Sequence, residues 1–292
     1  MSVPRLIDRS ERGKLALSGA DRKAFLNGQV TNDIEALEPG TGCYAALLTP
    51  KGKMLGDLRV LETGQELLLD TERVALQAIF DVIRRAVIGH DVELHKRTLE
   101  SGLLSVVGSG VGGSESPEHS HRVDELGGRP VRIIATDVGY DVLCAAEDTD
   151  AVRAALIADG VQPAAEDAAE VLRVEHGRPR YGIDLDDTVI PQEAGLNERA
   201  VSFTKGCYVG QETVARLHYK GKPNRHLRGI RLTAPSAPGT PLTLDGKEVG
   251  VLTSPVVSPT LGPIGLALVR REAPPGTTLD DGSAVVELPF DG

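Results

Sequence analysis

The hydrophobic patterning of this 292-residue chain changes near Asn224. Before that point, short apolar runs of strand length alternate with segments of helical spacing. After it, short β-type runs lie between Pro- and Gly-rich clusters such as APSAPGTP, which is typical of a small β-barrel or sandwich. The sequence therefore predicts an α+β protein with antiparallel sheets, followed by a C-terminal β-rich domain.

Three helices are predicted ahead of Asn224 from cap residues and apolar spacing. The first covers residues 21–28, the second is capped by Thr71 and continues to residue 87, and the third covers residues 149–159. The polar, Gly- and Ser-rich residues 108–122 are predicted to form a mobile surface loop.

That loop contains a G-x-G-x-x-G pattern at Gly108, Gly110 and Gly113, directly after a strand-like run. In a dinucleotide site the pattern would open a helix, but the next residues contain Pro117 and no apolar helix face. The sequence therefore favours the loop over a cofactor site.

Charge and cysteine content exclude several classes of protein. The 32 basic and 42 acidic residues give a net charge of −10, which argues against binding to duplex nucleic acid or an anionic membrane. Three cysteines without C-x-x-C spacing exclude a disulfide framework and a self-contained zinc or iron–sulfur site. The opening residues lack the apolar run of a signal peptide. A cytoplasmic protein with reduced thiols and no metal site of its own is expected.

Residues 178–216 form a long segment with little apolar periodicity, which in a compact domain indicates function. Within it, Cys207 follows Lys205 by two residues and precedes a possible helix start near Gly210. A cation and a helix N-terminus both favour a thiolate, so Cys207 is predicted to be reactive or to contact a ligand. A buried, inert thiol is the alternative, and it is the interpretation favoured for Cys43 and Cys144.

A basic window covers residues 213–244, which contain no Asp or Glu although the chain is acidic. Two interpretations stay open. The window binds an anion, such as a carboxylate tail or a phosphate, or its charges are solvated and pair with acidic residues 184–187. Its basic and His residues are Arg216, His218, Lys220, Lys222, Arg225, His226, Arg228 and Arg231.

Two single carboxylates, Asp57 and Glu193, lie in turn-rich surroundings. A carboxylate in a pocket can accept paired N–H bonds from the edge of a heterocycle, for instance the 2-amino group and ring N–H of a pterin. Each of them is equally compatible with a helix cap or a charge at a rim.

The chain contains four characteristic blocks, in this order: FLNGQVTNDI (25–34), TPKGKMLGDLRV (49–60), RYGIDLDDTVIPQEAGL (180–196) and KGCYVGQE (205–212). Together they resemble the YgfZ family, folate-binding relatives of the glycine-cleavage T-protein (aminomethyltransferase) that serve iron–sulfur cluster assembly. KGCYVGQE is the specific block, whereas the other three are shared with the T-proteins.

The resemblance implies a three-part cloverleaf body of the T-protein type around a central tetrahydrofolate pocket, with a small C-terminal β-barrel. It implies a folate-binding core of residues 1–48 and 146–222, a ferredoxin-like α+β domain of residues 49–145, and a barrel of residues 223–292.

The resemblance also assigns ligand contacts. Glu193 matches the family carboxylate that contacts the pterin, and Arg225 matches an arginine near the same ligand. Lys205, Cys207 and Tyr208 are expected to form the functional edge of the pocket.

Asp57 lies in the block that supplies the catalytic acid of the T-proteins. Those enzymes usually carry two successive carboxylates there, whereas this chain has Gly56-Asp57. Methylene transfer needs such a carboxylate but no thiol, so Cys207 is surplus to it.

The leading hypothesis is a cytoplasmic tetrahydrofolate-binding accessory protein that supports iron–sulfur enzymes, including those that modify tRNA. Because a lone cysteine cannot hold a cluster, partner proteins are implied: iron–sulfur assembly factors or client enzymes. One alternative is a folate-dependent aminomethyltransferase that uses Asp57. Another is an interaction protein whose ancestral pocket is empty.

Overall fold

The computed structural model of the protein describes residues 3–108 and 116–290. Residues 109–115, which hold most of the G-x-G-x-x-G pattern, lie outside this description. The strands are β1 (Arg5–Asp8), β2 (Gly13–Ser18), β3 (Gly42–Leu48), β4 (Met54–Glu62), β5 (Leu67–Thr71), β6 (Glu93–Lys96), β7 (Ser101–Val107), β8 (His121–Leu126), β9 (Arg129–Thr136), β10 (Gly139–Ala145), β11 (Gln162–Pro163), β12 (Arg225–Arg231), β13 (Pro241–Leu244), β14 (Lys247–Ser258), β15 (Gly262–Arg270) and β16 (Ala284–Val286).

The helices are α1 (Arg22–Gln29), α2 (Leu76–Ala86), α3 (Thr149–Ala158), α4 (Asp167–Glu175), α5 (Asn197–Ala200) and α6 (Gln211–Lys220), with a 3-10 turn at Ala146–Asp148. The helix predicted near Gly210 is therefore present as α6. The third predicted helix, now α3, ends at Ala158 and is followed after Asp159 by Gly160, whose φ of 92° is readily adopted only by glycine.

The strands form three sheets. Their orders are β11-β1-β7-β10-β9-β8, β3-β4-β5-β2-β6 and β13-β14-β15-β12-β16. β1 and β11 pair in parallel, whereas pairings such as β2–β5, β7–β10 and β14–β15 are antiparallel. The α+β class with antiparallel sheets, predicted from the hydrophobic patterning, is confirmed.

The chain divides into two compact units. The first comprises Met1–Leu48, Leu55–Ala168 and Arg199–Val209. The second comprises Thr49–Met54, Ala169–Glu198 and Gly210–Gly292. The three-domain boundaries expected from the resemblance stay a prediction.

The C-terminal sheet of the second unit has the short strands predicted after Asn224. Aliphatic side chains such as Ile230, Leu252 and Val285 form one buried cluster, and Leu227, Leu266 and Phe290 belong to another. Because the chain has few aromatic residues, burial of mainly aliphatic side chains in these two clusters stabilises the sheet.

Two of the predicted element boundaries are wrong. Thr71 does not cap a helix: it ends β5, pairs with Gly13 of β2, and α2 begins only at Leu76. The main chain of Thr71 pairs with β2, and its hydroxyl donates to the main-chain oxygen of Asp57 and does not cap a helix. Residues 121 and 122, which the sequence assigns to the loop 108–122, instead begin β8, while residues 109–115 of that loop lie outside the described residues.

Candidate functional site

Asp57 is a buried carboxylate of the first unit, only 5% exposed, and it projects from β4. The Tyr44 hydroxyl donates a 2.6 Å hydrogen bond to Asp57 Oδ2, and the Thr71 hydroxyl donates to the Asp57 main-chain oxygen at 2.5 Å. Burial, aided by the negative charge of Glu72, raises the pKa of Asp57 to about 6. A carboxyl group with this pKa can hold or release a proton near neutral pH.

Tyr44 is itself held in place by Arg199 of α5. The Arg199 guanidinium lies 5.3 Å from the centroid of the Tyr44 ring, and its Nη2 donates to Glu118 Oε1 at 2.5 Å. Sequence reasoning missed Tyr44 and Arg199. The available signal is that, in a chain with only 3% aromatic residues, a tyrosine lies on the strand directly before the one that carries the candidate acid.

Gly56 precedes Asp57 and faces the opposite side of β4, because side chains alternate along a strand. A β-carbon at position 56 would lie 2.9 Å from Ala75 Cβ and 3.0 Å from Ile79 Cδ1. The space that a second carboxylate, directly before Asp57, would occupy is therefore taken by aliphatic side chains.

Introducing that carboxylate as Gly56→Asp is expected to lower the free energy of unfolding by about 2–4 kcal/mol, because it overpacks an apolar contact and buries a charge. Urea denaturation measures this. Gly28→Ala is the matched control, since a β-carbon at Gly28 meets no atom within 4 Å. A Gly56→Asp protein as stable as the wild type would contradict the packing described.

The KGCYVGQE block also belongs to the first unit through Val209. Cys207 is exposed, which rules out the alternative of a buried thiol. The Lys205 ammonium lies 5.1 Å from the Tyr208 ring centroid and donates hydrogen bonds to three main-chain carbonyls. Burial lowers the pKa of Lys205 to about 8 and raises that of Tyr208 to about 12.

The other two cysteines have different surroundings. Cys144 is buried in the aliphatic cluster of the first unit, and burial raises the pKa of Cys43 to about 12. None of the three cysteines, all of which lie in the described part of the chain, forms a disulfide. Cys43 and Cys144 are therefore poor nucleophiles at neutral pH.

Glu193 and Arg225 come together in the second unit. Glu193 is 7% exposed, and its Oε1 lies 3.3 Å from Arg225 Nε, while Oε2 accepts a 3.2 Å hydrogen bond from the Ile190 N–H. The Leu227 N–H donates to the Glu193 main-chain oxygen at 2.7 Å, which ties the turn before α5 to β12. Glu193 is neither a helix cap nor a rim charge.

A cavity of about 780 Å³ in the second unit is lined by both members of this pair. Its size is within the usual range for small-molecule sites. Its wall also carries charged and apolar side chains, among them Asp186, Val251, Leu268, Arg270 and Arg271.

Two arginines of the basic window form ion pairs with carboxylates. Arg225 pairs with Glu193, and Arg228 pairs with Glu287. Of the acidic residues 184–187, Asp184 forms an ion pair at 2.6 Å with Arg173, which lies outside the window, and accepts a hydrogen bond from Ser254 of β14.

The predicted site residues thus fall into two groups. Asp57, Lys205, Cys207 and Tyr208 lie in the first unit, and Glu193 and Arg225 lie in the second. No helix among the described residues is long and apolar enough to cross a membrane. Within the same residues, no cluster of three or more Cys, His, Asp or Glu side chains has the arrangement of a metal site.

Two family models match the sequence. The GCVT N-terminal domain matches residues 3–111, and the glycine cleavage T-protein C-terminal barrel domain matches residues 225–285. The second match supports the C-terminal barrel expected from the sequence.

Curated relatives cover almost the whole chain. A chloroplastic protein of Arabidopsis thaliana, named only provisionally as a transferase, is 30% identical over 98% of this chain and 71% of its own length. An aminomethyltransferase of Geobacillus kaustophilus is 30% identical over 91% of this chain and 79% of its own. One from Synechococcus sp. strain WH7803 is 32% identical, with 88% and 76% covered.

Among solved structures, the glycine cleavage system aminomethyltransferase T from Bartonella henselae superposes with a TM-score of 0.88. The two chains are 23% identical over 99% of this chain and 87% of that one. The T-protein fold expected from the resemblance is confirmed.

Proposed function

We propose that this chain, which belongs to the glycine cleavage T-protein family, is a cytoplasmic tetrahydrofolate-binding protein that supports assembly or repair of iron–sulfur enzymes, including those that modify tRNA. The observation that carries folate binding is the buried Glu193 carboxylate, paired with Arg225 on the wall of a 780 Å³ cavity. The relatives named aminomethyltransferase support the same ligand class.

Glu193 has the acceptor capacity that a pterin needs. An ionised carboxylate offers about four lone pairs, and Arg225 and Ile190 use one on each oxygen. The 2-amino group and ring N–H of a pterin would use the remaining pair in a bidentate arrangement. The ion pair with Arg225 fixes the orientation of the carboxylate.

The accessory role depends on Cys207, which the aminomethyl transfer reaction does not use. Its exposed thiol is accessible to a partner protein, unlike the thiol of Cys144. A single thiolate can bind iron transiently or take part in sulfur exchange, but a stable cluster would need ligands from a partner. Tyr208 and Lys205 flank this thiol in the proposed functional edge.

Replacing Cys207 with Ala is expected to leave folding and folate affinity nearly unchanged, since exposed substitutions usually change stability by less than about 0.5 kcal/mol. When the variant replaces the wild type in cells, the activity of the client iron–sulfur enzymes is expected to fall severalfold. Cys144→Ala is the control: it loses about 1 kcal/mol of stability and keeps client activity. Full client activity with Cys207→Ala would remove the thiol from the proposal.

One observation favours a second candidate function, aminomethyl transfer by Asp57. Its Tyr44-bound carboxyl, with a pKa near neutrality, is suited to stabilise a cationic intermediate or transfer a proton. The test is turnover: tetrahydrofolate and an aminomethylated lipoyl carrier are incubated with the protein, and methylenetetrahydrofolate is measured. Product that disappears in Asp57→Asn would make the transferase the better account.

A further inference from the structure

We propose that Lys205 is a positioning residue: its ammonium caps the C-terminus of α1 and thereby holds the Cys207 loop in place. This inference concerns the same block as the proposed function, and only the importance of Cys207 rests on that function. The contacts themselves are independent of any ligand.

The ammonium of Lys205 has a complete set of hydrogen-bond acceptors. It donates to the main-chain carbonyls of Asn27, of Val30 at 2.8 Å and of Asn32 at 2.8 Å. An ammonium has three N–H donors, so three carbonyls use all of them. No donor remains for a thiolate or a ligand unless one of these bonds breaks.

The end of α1 needs such a partner. The last carbonyls of a helix have no intrahelical donor, and a cation near them is favourable. α1 has no basic residue in its own last turn, and Asn27 is one of its final residues. Lys205, from a distant part of the sequence, supplies the missing cation.

Further bonds attach the residues around Cys207 to the same region. The Val209 N–H donates to the Gly28 carbonyl at 3.3 Å, and the Ser202 N–H donates to the Thr31 carbonyl at 3.0 Å. The Thr31 hydroxyl donates to the Ala200 carbonyl at 2.5 Å. Cys207 therefore lies on a short segment that is attached on both sides, at Lys205 and at Val209.

Asn32 extends this assembly toward Asp57. Its carbonyl accepts from Lys205, and its side-chain Nδ2 donates to the main-chain oxygens of Tyr44 at 2.8 Å and Arg199 at 3.2 Å. Because Tyr44 binds Asp57, the thiol loop and the buried carboxylate share one hydrogen-bonded framework. Lys205 acts on both by fixing the backbone.

The test is chemical rescue of Lys205→Ala in the full chain. Local amide hydrogen exchange is measured by mass spectrometry in residues 26–33 and 200–209. Exchange is expected to become about tenfold faster or more in the variant, because three charge-assisted hydrogen bonds are lost. Propylammonium, which replaces the missing part of the side chain, is expected to restore slow exchange. Tetramethylammonium, which has no N–H donor, is the matched control and is expected to have no effect.

Lys205→Gln provides a second variant if Lys205→Ala folds poorly. It keeps a donor and loses the charge, so intermediate exchange is expected. Unchanged exchange in both variants, together with a shifted pH profile for alkylation of Cys207, would overturn the proposal in favour of direct thiolate activation. Loss of client activity plays no part in this test. Failure of the iron–sulfur role would therefore leave the positioning role standing, and the reverse also holds.

Discussion

Tetrahydrofolate binding is expected to weaken at least about 100-fold when Glu193 is replaced by Gln, which corresponds to about 2.7 kcal/mol. The amide keeps the size of the side chain, but it replaces one acceptor with a donor and removes the charge that pairs with Arg225. Breaking one partner of a buried charged pair typically costs about 2–5 kcal/mol. Isothermal titration calorimetry measures the change directly.

The matched control is Glu287→Gln, which breaks the Arg228–Glu287 pair formed by the same strand, β12. The Glu287 side chain is 68% exposed, so both stability and folate affinity are expected to stay close to wild type. Equal affinities of Glu193→Gln and the wild type would show that the carboxylate does not contact the pterin.

The free energy of unfolding is also expected to depend strongly on pH, because of Asp57. Its pKa is raised from 3.8 to about 6, so between these values the folded protein holds more protons than the unfolded chain. The free energy of unfolding therefore falls as pH rises through this window. At about 1.4 kcal/mol per pKa unit, the ionised carboxylate destabilises the fold by roughly 3 kcal/mol above pH 6.

Asp57→Asn removes this titration and keeps an oxygen that accepts from Tyr44. The variant is expected to be roughly as stable as the wild type at pH 4 and more stable by roughly 3 kcal/mol at pH 8. Urea denaturation across this range measures it. Asp150→Asn, at a side chain that is 92% exposed, leaves Asp57 in place and is therefore expected to keep the pH dependence of the wild type. A parallel pH dependence for wild type and Asp57→Asn would contradict the raised pKa.

Local patterning was sufficient for much of the fold. Strand-length apolar runs that alternate with helical spacing predict the mixed order of strands and helices before Asn224, and turn clusters predict the short strands after it. β8 was missed because its sequence HRVDEL is mostly exposed at a sheet edge and lacks alternation. Thr71 was misassigned because its pairing partner, Gly13, lies far away in sequence.

In the candidate site, too, some features follow from the local sequence, whereas others depend on contacts between distant segments. Single carboxylates in turn-rich blocks drew attention to Asp57 and Glu193, and both are buried and hydrogen-bonded. The roles of Asn32 and Arg199 depend on contacts between segments more than 150 residues apart, which residue spacing does not reveal. Lys205 was noticed as a neighbour of Cys207, yet its ammonium contacts the end of α1.

Functional sites commonly contain groups whose pKa is shifted at a cost in stability, and Asp57 is such a group. Lys205 is a second such group. Burying its charge costs stability, and hydrogen bonds to main-chain carbonyls offset part of this cost. The first unit therefore contains two ionisable groups, Asp57 and Lys205, whose burial costs stability and which belong to one network of hydrogen bonds. The transferase alternative predicts that turnover needs Asp57 but not Cys207, whereas the accessory role predicts that client enzymes need Cys207.

A crystal structure of the protein soaked with tetrahydrofolate tests the central claim most directly. We expect the pterin to donate its 2-amino group and ring N–H to the Glu193 carboxylate at about 3 Å, with Arg225 still in contact. Folate bound at another surface, with the Glu193–Arg225 pair untouched, would contradict the account.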